Sequence, residues 1–220
     1  ARLGNDRDAI ALLFDWSIAG MLDQFLDDER MRMAYMGQGV VGSGLLKVFE
    51  ENLPVLEAKV GTRLRVGWVA SRRRRTLPVI GGVRPRFTKD WRDVVSDPAV
   101  DIVVELIGGL EPARTLILAS LKAGKQVATA NKAVLAGHWP EIFTTAQSAR
   151  GLVYFEAAVG GGIPVIQGLN EGLAANRISR IFGILNGTTN YILTRMNEEG
   201  LRFNAALKAA QAAGFAEADP

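Results

Sequence analysis

The pattern of hydrophobic and polar residues along the chain predicts alternating strands and helices. From residue 31 to residue 155, short apolar runs alternate with stretches in which apolar residues recur at helical spacing. The apolar runs predict β-strands at residues 31–36, 64–70, 101–107, 126–130 and 152–155. The stretches between them predict helices through residues 45–53, 111–124 and 140–149. Because strands that alternate with helices build a parallel sheet covered on both faces, the pattern predicts a doubly wound α/β domain over residues 31–155.

The pattern differs on either side of this domain. Residues 1–30 carry apolar side chains at helical spacing, which predicts a helical extension that packs on the body of the protein or contacts a partner. After the glycines at 160–162, the pattern predicts a helix at 165–173, a strand at 178–185, and helices at 186–196 and 203–213. We therefore expect a domain boundary near Glu156 and the beginning of a second, α+β domain over residues 156–220.

Composition excludes several classes of site. The 220-residue chain is 48% hydrophobic and 22% charged, which is typical of a soluble globular protein. It has no cysteine, which excludes disulfides, thiolate zinc sites, iron–sulfur clusters and cysteine nucleophiles, and its single histidine, His138, excludes a histidine cluster. No apolar run reaches the ~18 residues of a membrane span, and the N-terminal residues lack the pattern of a signal peptide. We expect a cytoplasmic protein with neither a membrane nor a nucleic-acid partner.

A glycine-rich turn separates the first predicted strand from the first predicted helix. In a strand–turn–helix unit, a first glycine permits a tight turn, a second lets a pyrophosphate approach the backbone, and a third lets helix and strand pack closely. The free N–H groups at the start of the helix then face the phosphates. The spacing therefore predicts a dinucleotide site of the Rossmann type, formed by Gly37, Gly39, Val40, Val41 and Gly42.

The end of the second predicted strand bears on which dinucleotide is bound. An acidic side chain at this place would bind the ribose 2′-hydroxyl of NAD. The chain instead continues from Ala70 and Ser71 into four arginines at positions 72–75, in a protein of net charge +3. Since guanidinium groups form bidentate hydrogen bonds with phosphate, Arg72 and Arg73 favour NADP over NAD. The alternative is a basic loop that faces solvent.

Five motifs, taken in order, resemble those of the homoserine dehydrogenase family. They are residues 103–113 (VVELIGGLEPA), 129–132 (TANK), 156–164 (EAAVGGGIP), 183–193 (GILNGTTNYIL) and 212–220 (AAGFAEADP). The resemblance covers residues 31–220. It implies an NAD(P)-dependent oxidoreductase that interconverts L-aspartate 4-semialdehyde and L-homoserine in the synthesis of threonine and methionine. It also implies a small-molecule substrate and a homo-oligomer, either a dimer or a tetramer.

The resemblance assigns roles to particular residues. Cofactor contacts fall on Ile107, Gly108 and Gly109. Lys132, just past a predicted strand, is implied to contact both cofactor and substrate and is the candidate catalytic residue. Substrate contacts fall also on Gly187, in a turn that caps a helix, and on Glu217, whose carboxylate can hold the ammonium group of the substrate.

The resemblance further implies a sodium site. It places this site at Glu156, Val159, Gly161 and Ile163, with ligands that are largely main-chain carbonyls. Hard cations prefer oxygen ligands, and a glycine-rich turn can direct several carbonyls inward. The alternative is a plain glycine-rich turn between two domains.

The chain departs from the family pattern in two places. Gln38 and Val40 stand where the family often has a small apolar residue and a threonine, which should alter phosphate contacts and leave the fold intact. In the family, an aspartate and then a lysine that donates a proton to the alkoxide follow the Asp-Pro pair, and these 220 residues end at Pro220. We therefore expect the chain by itself to be inactive. Three hypotheses stay open: part of an enzyme, a module that binds NADP without turnover, and a different oxidoreductase of the same fold.

Overall fold

The computed structural model describes residues 30–37, 40–73, 76–160, 162–184 and 186–216. The predicted N-terminal helical extension lies, except for Arg30, outside the described residues. The chain divides into two compact units, Ala1–Ala174 and Ala175–Pro220. The predicted domain boundary near Glu156 rests on the change of sequence pattern, and it stays a prediction.

A six-stranded sheet forms the centre of the first unit, as far as the structure describes it. Its strands are β1 (Arg30–Met36), β2 (Arg63–Ala70), β3 (Arg86–Thr88), β4 (Ile102–Glu105), β5 (Gln126–Thr129) and β6 (Val153–Tyr154). All neighbouring strands are parallel, in the order β3-β2-β1-β4-β5-β6. This order confirms the predicted Rossmann-type sheet. Because the chain builds outward from β1 in opposite directions, the carboxyl ends of β1 and β4 border the place where ligands bind in such sheets.

Helices cover both faces of the sheet. Those that connect its strands are α1 (Val40–Val60), α2 (Trp91–Ser96), α3 (Ala113–Lys122) and α4 (Lys132–Ala149). After β6, a 3-10 turn at Glu156–Ala158 leads to the short helix α5 (Val165–Gln167), which continues into one π turn at Gly168–Gly172. The helix predicted at residues 165–173 is therefore present as two short turns.

Successive strand residues pack into two separate cores, because their side chains point to opposite faces of the sheet. Ile102 and Val104 of β4 pack in one core with Phe49 of α1. Val103 packs in the other core with Leu116 of α3 and with side chains of α4. The continuous apolar run of β4 is thus explained by burial on both faces.

Two helices extend beyond their predicted bounds. α1 continues past Pro54 to Val60, although a proline removes one helical hydrogen bond. Leu56 and Val60 lie beyond the proline and are buried in the core, which offsets that loss. α4 begins at Lys132 rather than at residue 140, and its two parts meet at a break with φ −134° at His138.

Most other differences between the predicted and the observed elements of the first unit involve short strands and helices. β3 has 3 residues and α2 has 6, which is too few for a periodic pattern to show, and neither was predicted. Helix α3 begins at Ala113, after a cis peptide bond between Glu111 and Pro112, rather than at residue 111.

The second unit contains a helical hairpin in its described residues. Helices α6 (Gly187–Glu199) and α7 (Phe203–Ala212) pack through Ile192, Ala206 and Ala210. The strand predicted at residues 178–185 is wrong for this structure, since residues 177–184 have no regular secondary structure. Ile181 and Phe182 are 64% and 86% exposed there. A strand forms only where its backbone groups pair with a neighbouring strand, and the described part of this unit offers none.

A buried lysine ties the amino edge of the sheet together. Lys125 precedes β5 and is only 4% exposed. Its Nζ donates hydrogen bonds to the carbonyl oxygens of Asp97 at 2.7 Å and Val100 at 2.8 Å. Burial lowers the pKa of Lys125, and the nearby charges of Asp97 and Asp101 oppose this shift. The ammonium group thus joins the segment before β4 to the start of β5.

We expect Lys125→Met to lower the free energy of unfolding by about 1–3 kcal/mol, because charge-assisted hydrogen bonds to two carbonyls are lost. Urea denaturation measures this change. Lys122→Met is the matched control, since Lys122 is exposed at the end of α3 and should change stability by less than about 0.5 kcal/mol. Equal stability of the two variants would contradict the structural role of Lys125.

Candidate active site

The glycine turn after β1 lies between the carboxyl ends of β2 and β4. The backbone N–H of Gly37 donates to the carbonyl of Ala70 at 2.9 Å, and the N–H of Leu106 donates to the carbonyl of Met36 at 2.8 Å. Gly37 has a φ of +104°, a conformation that favours glycine. These contacts place the turn at the topological switch point of the sheet.

Close packing requires glycine at two positions of this turn. A Cβ atom at Gly37 would lie 2.5 Å from the carbonyl oxygen of Leu106, and a Cβ atom at Gly42 would lie 2.1 Å from the carbonyl oxygen of Gly37. Both clashes are with backbone, which cannot move aside as a side chain can. Gly39 and the side chain of Val40 lie outside the described residues, and Val41 is 41% exposed in the first turn of α1.

The start of α1 is suited to an anion. The helix begins at Val40, directly after the turn, and its first turn contains no acidic residue. The first N–H groups of a helix have no partner within the helix and carry a partial positive charge. A pyrophosphate at this place would therefore meet N–H donors and no acidic side chain from the first turn of α1.

The loop after β4 is held by a carboxylate from inside the sheet. Glu105, the last residue of β4, is 0% exposed. Its Oε1 accepts hydrogen bonds from the backbone N–H of Ile107 at 2.7 Å and of Gly108 at 3.3 Å. Its Oε2 accepts from the hydroxyl of Thr129, the last residue of β5, at 2.6 Å. One buried side chain therefore joins the ends of two neighbouring strands.

The hydrogen bonds continue from Thr129 to the start of α4. The Thr129 hydroxyl accepts from the backbone N–H of Asn131 at 3.0 Å. The Asn131 side chain donates to the carbonyl of Gly109 at 2.7 Å and accepts from the N–H of Val134 at 3.2 Å, which caps α4. Lys132, the first residue of that helix, is exposed.

The charged residues that follow β2 are cationic and face solvent. The backbone N–H of Ser71 donates to the carbonyl of Thr88 at 3.1 Å, which keeps the end of β2 beside the end of β3. Arg72 and Arg73 are exposed just beyond, while residues 74–75 lie outside the described residues. Together with Lys132, these side chains place three exposed positive charges beyond the carboxyl ends of the strands.

The residues of the predicted sodium site are only partly described. Glu156 is 8% exposed, and its carboxylate accepts from the backbone N–H groups of Ile166 at 3.0 Å and Gln167 at 2.8 Å. The carboxylate is thus hydrogen-bonded at the start of α5. Val159 is half-buried, Ile163 is 66% exposed, and Gly161 lies outside the described residues. The described residues contain no group of three acidic or histidine side chains placed to hold a metal ion.

The predicted substrate residues belong to the second unit. Gly187 is the first residue of α6, and the side chain of Asn186 accepts from the N–H of Thr189 at 2.7 Å. The turn at Gly187 therefore caps a helix, as predicted. The hydroxyl of Thr188 donates to the carbonyl of Phe215, which ties the end of the hairpin to its start. Glu217 lies outside the described residues.

The structure thus brings one group of predicted residues together at the sheet edge. The residues that follow the carboxyl ends of its strands are Gly37, Gly42, Arg72, Arg73, residues 107–109 and Lys132. The roles of Glu105, Thr129 and Asn131 were not predicted. The available signal was an acidic residue inside the apolar run of β4, because a charge in a strand buried on both faces must be hydrogen-bonded.

Among the described residues, no helix combines the length and the apolar character that a membrane crossing requires.

Comparison with known proteins identifies the family. The family model described as "Homoserine dehydrogenase, NAD binding domain" matches residues 37–156, and the model "Homoserine dehydrogenase" matches residues 164–220. A homoserine dehydrogenase of Synechocystis sp. is 46% identical over 194 residues, which cover 86% of this chain and 43% of the relative. The chain therefore spans under half the length of this relative.

Solved structures agree with the family models. A crystal structure of a homoserine dehydrogenase from Thiobacillus denitrificans has a TM-score of 0.76 at 46% identity, covering 87% of this chain and 44% of that one. A hyperthermophilic archaeal homoserine dehydrogenase in complex with NADPH has a TM-score of 0.71 at 25% identity, covering 87% of this chain and 63% of that one. With a family model matching more than half of its residues, the chain belongs to the homoserine dehydrogenase family.

Proposed function

We propose that this chain binds NADPH at the carboxyl edge of its sheet and serves the interconversion of L-aspartate 4-semialdehyde and L-homoserine. The observation that carries the proposal is the close packing of the glycine turn at the switch point. A Cβ atom at Gly37 would clash with the backbone after β4, and a Cβ atom at Gly42 would clash with the backbone of Gly37. In this proposal residues 31–155 hold the cofactor, and residues 156–220 begin the part that holds the substrate and forms the dimer.

The described residues fit a nicotinamide dinucleotide along the sheet edge. The first N–H groups of α1 would hold the pyrophosphate. Arg72 and Arg73, beyond β2, would hold a 2′-phosphate by charge-assisted hydrogen bonds. The loop at residues 107–109 and the start of α4 would border the nicotinamide half. An NADPH complex of the archaeal family member supports the choice of cofactor.

The proposed reaction needs little chemistry from the protein beyond positioning and charge. The bound cofactor supplies the hydride. Lys132, exposed at the start of α4, would place its ammonium group near the carbonyl oxygen of the substrate, where negative charge develops. In the second unit, Gly187 and Glu217 would contact the substrate. A sodium ion held by main-chain carbonyls near Glu156, Val159, Gly161 and Ile163 would stabilise the turn that leads out of the cofactor domain.

We expect the chain to bind NADPH more tightly than NADH. The double variant Arg72→Ala/Arg73→Ala should weaken NADPH binding by roughly 1–3 kcal/mol and leave NADH binding nearly unchanged, because only the 2′-phosphate is lost as a partner. Isothermal titration calorimetry measures both affinities. Arg63→Ala/Arg65→Ala, which removes two exposed arginines from the amino half of β2, is the matched control. The assignment would be contradicted if the wild-type chain bound NADH more tightly than NADPH. It would also be contradicted if the double variant lost affinity for both cofactors equally.

In a protein that carries the rest of the substrate domain, Lys132→Met should slow the reduction of L-aspartate 4-semialdehyde by about 10²–10³-fold, because one donor to the developing oxyanion is lost. NADPH affinity should change only a few-fold. The measurement is NADPH oxidation with and without the aldehyde, with Lys122→Met as the control for the loss of an exposed lysine. A Lys132→Met protein with unchanged turnover would remove Lys132 from the proposed site.

A further inference from the structure

We propose that Glu105 is a positioning residue, which acts through Thr129 and Asn131 to hold the loop at residues 107–109 and the start of α4 as one preformed unit for the nicotinamide half of the cofactor. The inference rests on the proposed function, which places NADPH at this edge. It concerns side chains that lie below the surface that the cofactor would contact.

Hydrogen bonds from two side chains hold the loop at residues 107–109. Gly108 and Gly109 have φ values of +77° and +71°, and a Cβ atom at either would meet nothing within 4 Å. Gly108 and Gly109 therefore lie in open space on the side where a side chain would project. What holds the loop is the Glu105 carboxylate, through the N–H groups of Ile107 and Gly108, and the Asn131 amide, through the carbonyl of Gly109.

Glu105 is the acceptor in all three of its hydrogen bonds. The Thr129 hydroxyl has one proton, which it donates to Glu105, while it accepts from the N–H of Asn131. A carboxylate only accepts hydrogen bonds, so it suits three donors at once. An amide in its place could turn its NH₂ group toward the loop N–H groups, which would lose their acceptor. It could instead turn that group toward the Thr129 oxygen, which would reverse this hydrogen bond and leave the Thr129 proton without the acceptor that it now has.

Asn131 connects the loop at residues 107–109 to the helix turn that contains Lys132. Asn131 contacts the loop through its Nδ2 and caps α4 through its Oδ1. The loop and the first turn of the helix therefore share one side chain, and Lys132 is the next residue. Any displacement of Glu105 or Thr129 reaches both elements together.

A positioning role explains the carboxylate at Glu105 better than a purely stabilising role does. Neighbouring positions of these strands, Val103, Val104, Val127 and Ala128, are apolar and buried. Burying the Glu105 carboxylate costs desolvation free energy, which an apolar residue at this position would avoid. A gain in folding stability is therefore a weak explanation for a charge at this place. Its three hydrogen bonds are all directed at the ligand-binding edge of the sheet.

The test compares two ligands that share the adenosine end and differ at the nicotinamide end. Calorimetry measures the affinity of wild type, Glu105→Gln and Thr129→Val for NADPH and for adenosine 2′,5′-bisphosphate. Both variants should bind NADPH about tenfold more weakly, on the scale of one lost hydrogen bond to a charged group, and should bind the bisphosphate within about twofold of wild type. Thr129→Ser keeps the hydroxyl and should restore NADPH affinity. Ser120→Ala removes a buried hydroxyl with no hydrogen-bond partner, in α3, and should bind both ligands as wild type does.

Several results would overturn the proposal. An unchanged affinity of Thr129→Val for NADPH would do so. An equal loss of affinity for NADPH and for the bisphosphate would also do so, because it indicates a merely structural role. If wild type binds no NADPH, the proposed function fails instead. The positioning claim is then judged by amide hydrogen exchange, which should be faster at Ile107 and Gly108 in Thr129→Val than in Thr129→Ser. Equal exchange rates in these two variants overturn it. If Glu105→Gln does not fold, the two Thr129 variants carry the comparison.

Discussion

The contact between the backbone of Gly37 and the backbone of Leu106 is the constraint on which the rest of this site depends. A single methyl group at Gly37 would approach the Leu106 carbonyl oxygen to 2.5 Å, so the turn after β1 and the segment after β4 can pack this closely only without a side chain. A Cβ atom at Gly42, in the first turn of α1, would in turn lie 2.1 Å from the carbonyl oxygen of Gly37. The turn is therefore packed between the backbone after β4 and the start of α1. This part of the candidate site depends on backbone packing and not on the exposed side chains around it.

Charge at this edge is arranged by depth. The buried carboxylate of Glu105 is surrounded by donors from Ile107, Gly108 and Thr129, as a charge inside a sheet must be. Arg72, Arg73 and Lys132 remain in solvent. The buried negative charge is therefore hydrogen-bonded below the surface, while three positive charges lie at the surface. An edge of this kind is suited to attract phosphates, which the N–H donors of α1 could then orient.

Much of the fold was predictable because it depends on local pattern. Apolar runs and helical spacing gave most strands and helices of the first unit, since each face of an element is buried or exposed as a whole. The exceptions have identifiable causes. Helix α1 continues through Pro54 because Leu56 and Val60 find a core beyond it. The run at residues 178–184 has the residues of a strand but, in the described chain, no neighbouring strand to pair with.

The amino-acid sequence by itself determined the parallel α/β class, the glycine turn, the arginines beyond β2 and the family resemblance, because each of these follows from residue types at fixed spacing. Only the tertiary structure decided that Glu105, Thr129 and Asn131 form one hydrogen-bonded chain. These residues lie on two different strands and a loop, up to 26 positions apart, and hydrogen bonds between such residues depend on which strands become neighbours. Spacing along a chain carries local geometry, whereas the pairing of β4 with β5 is a property of the folded sheet.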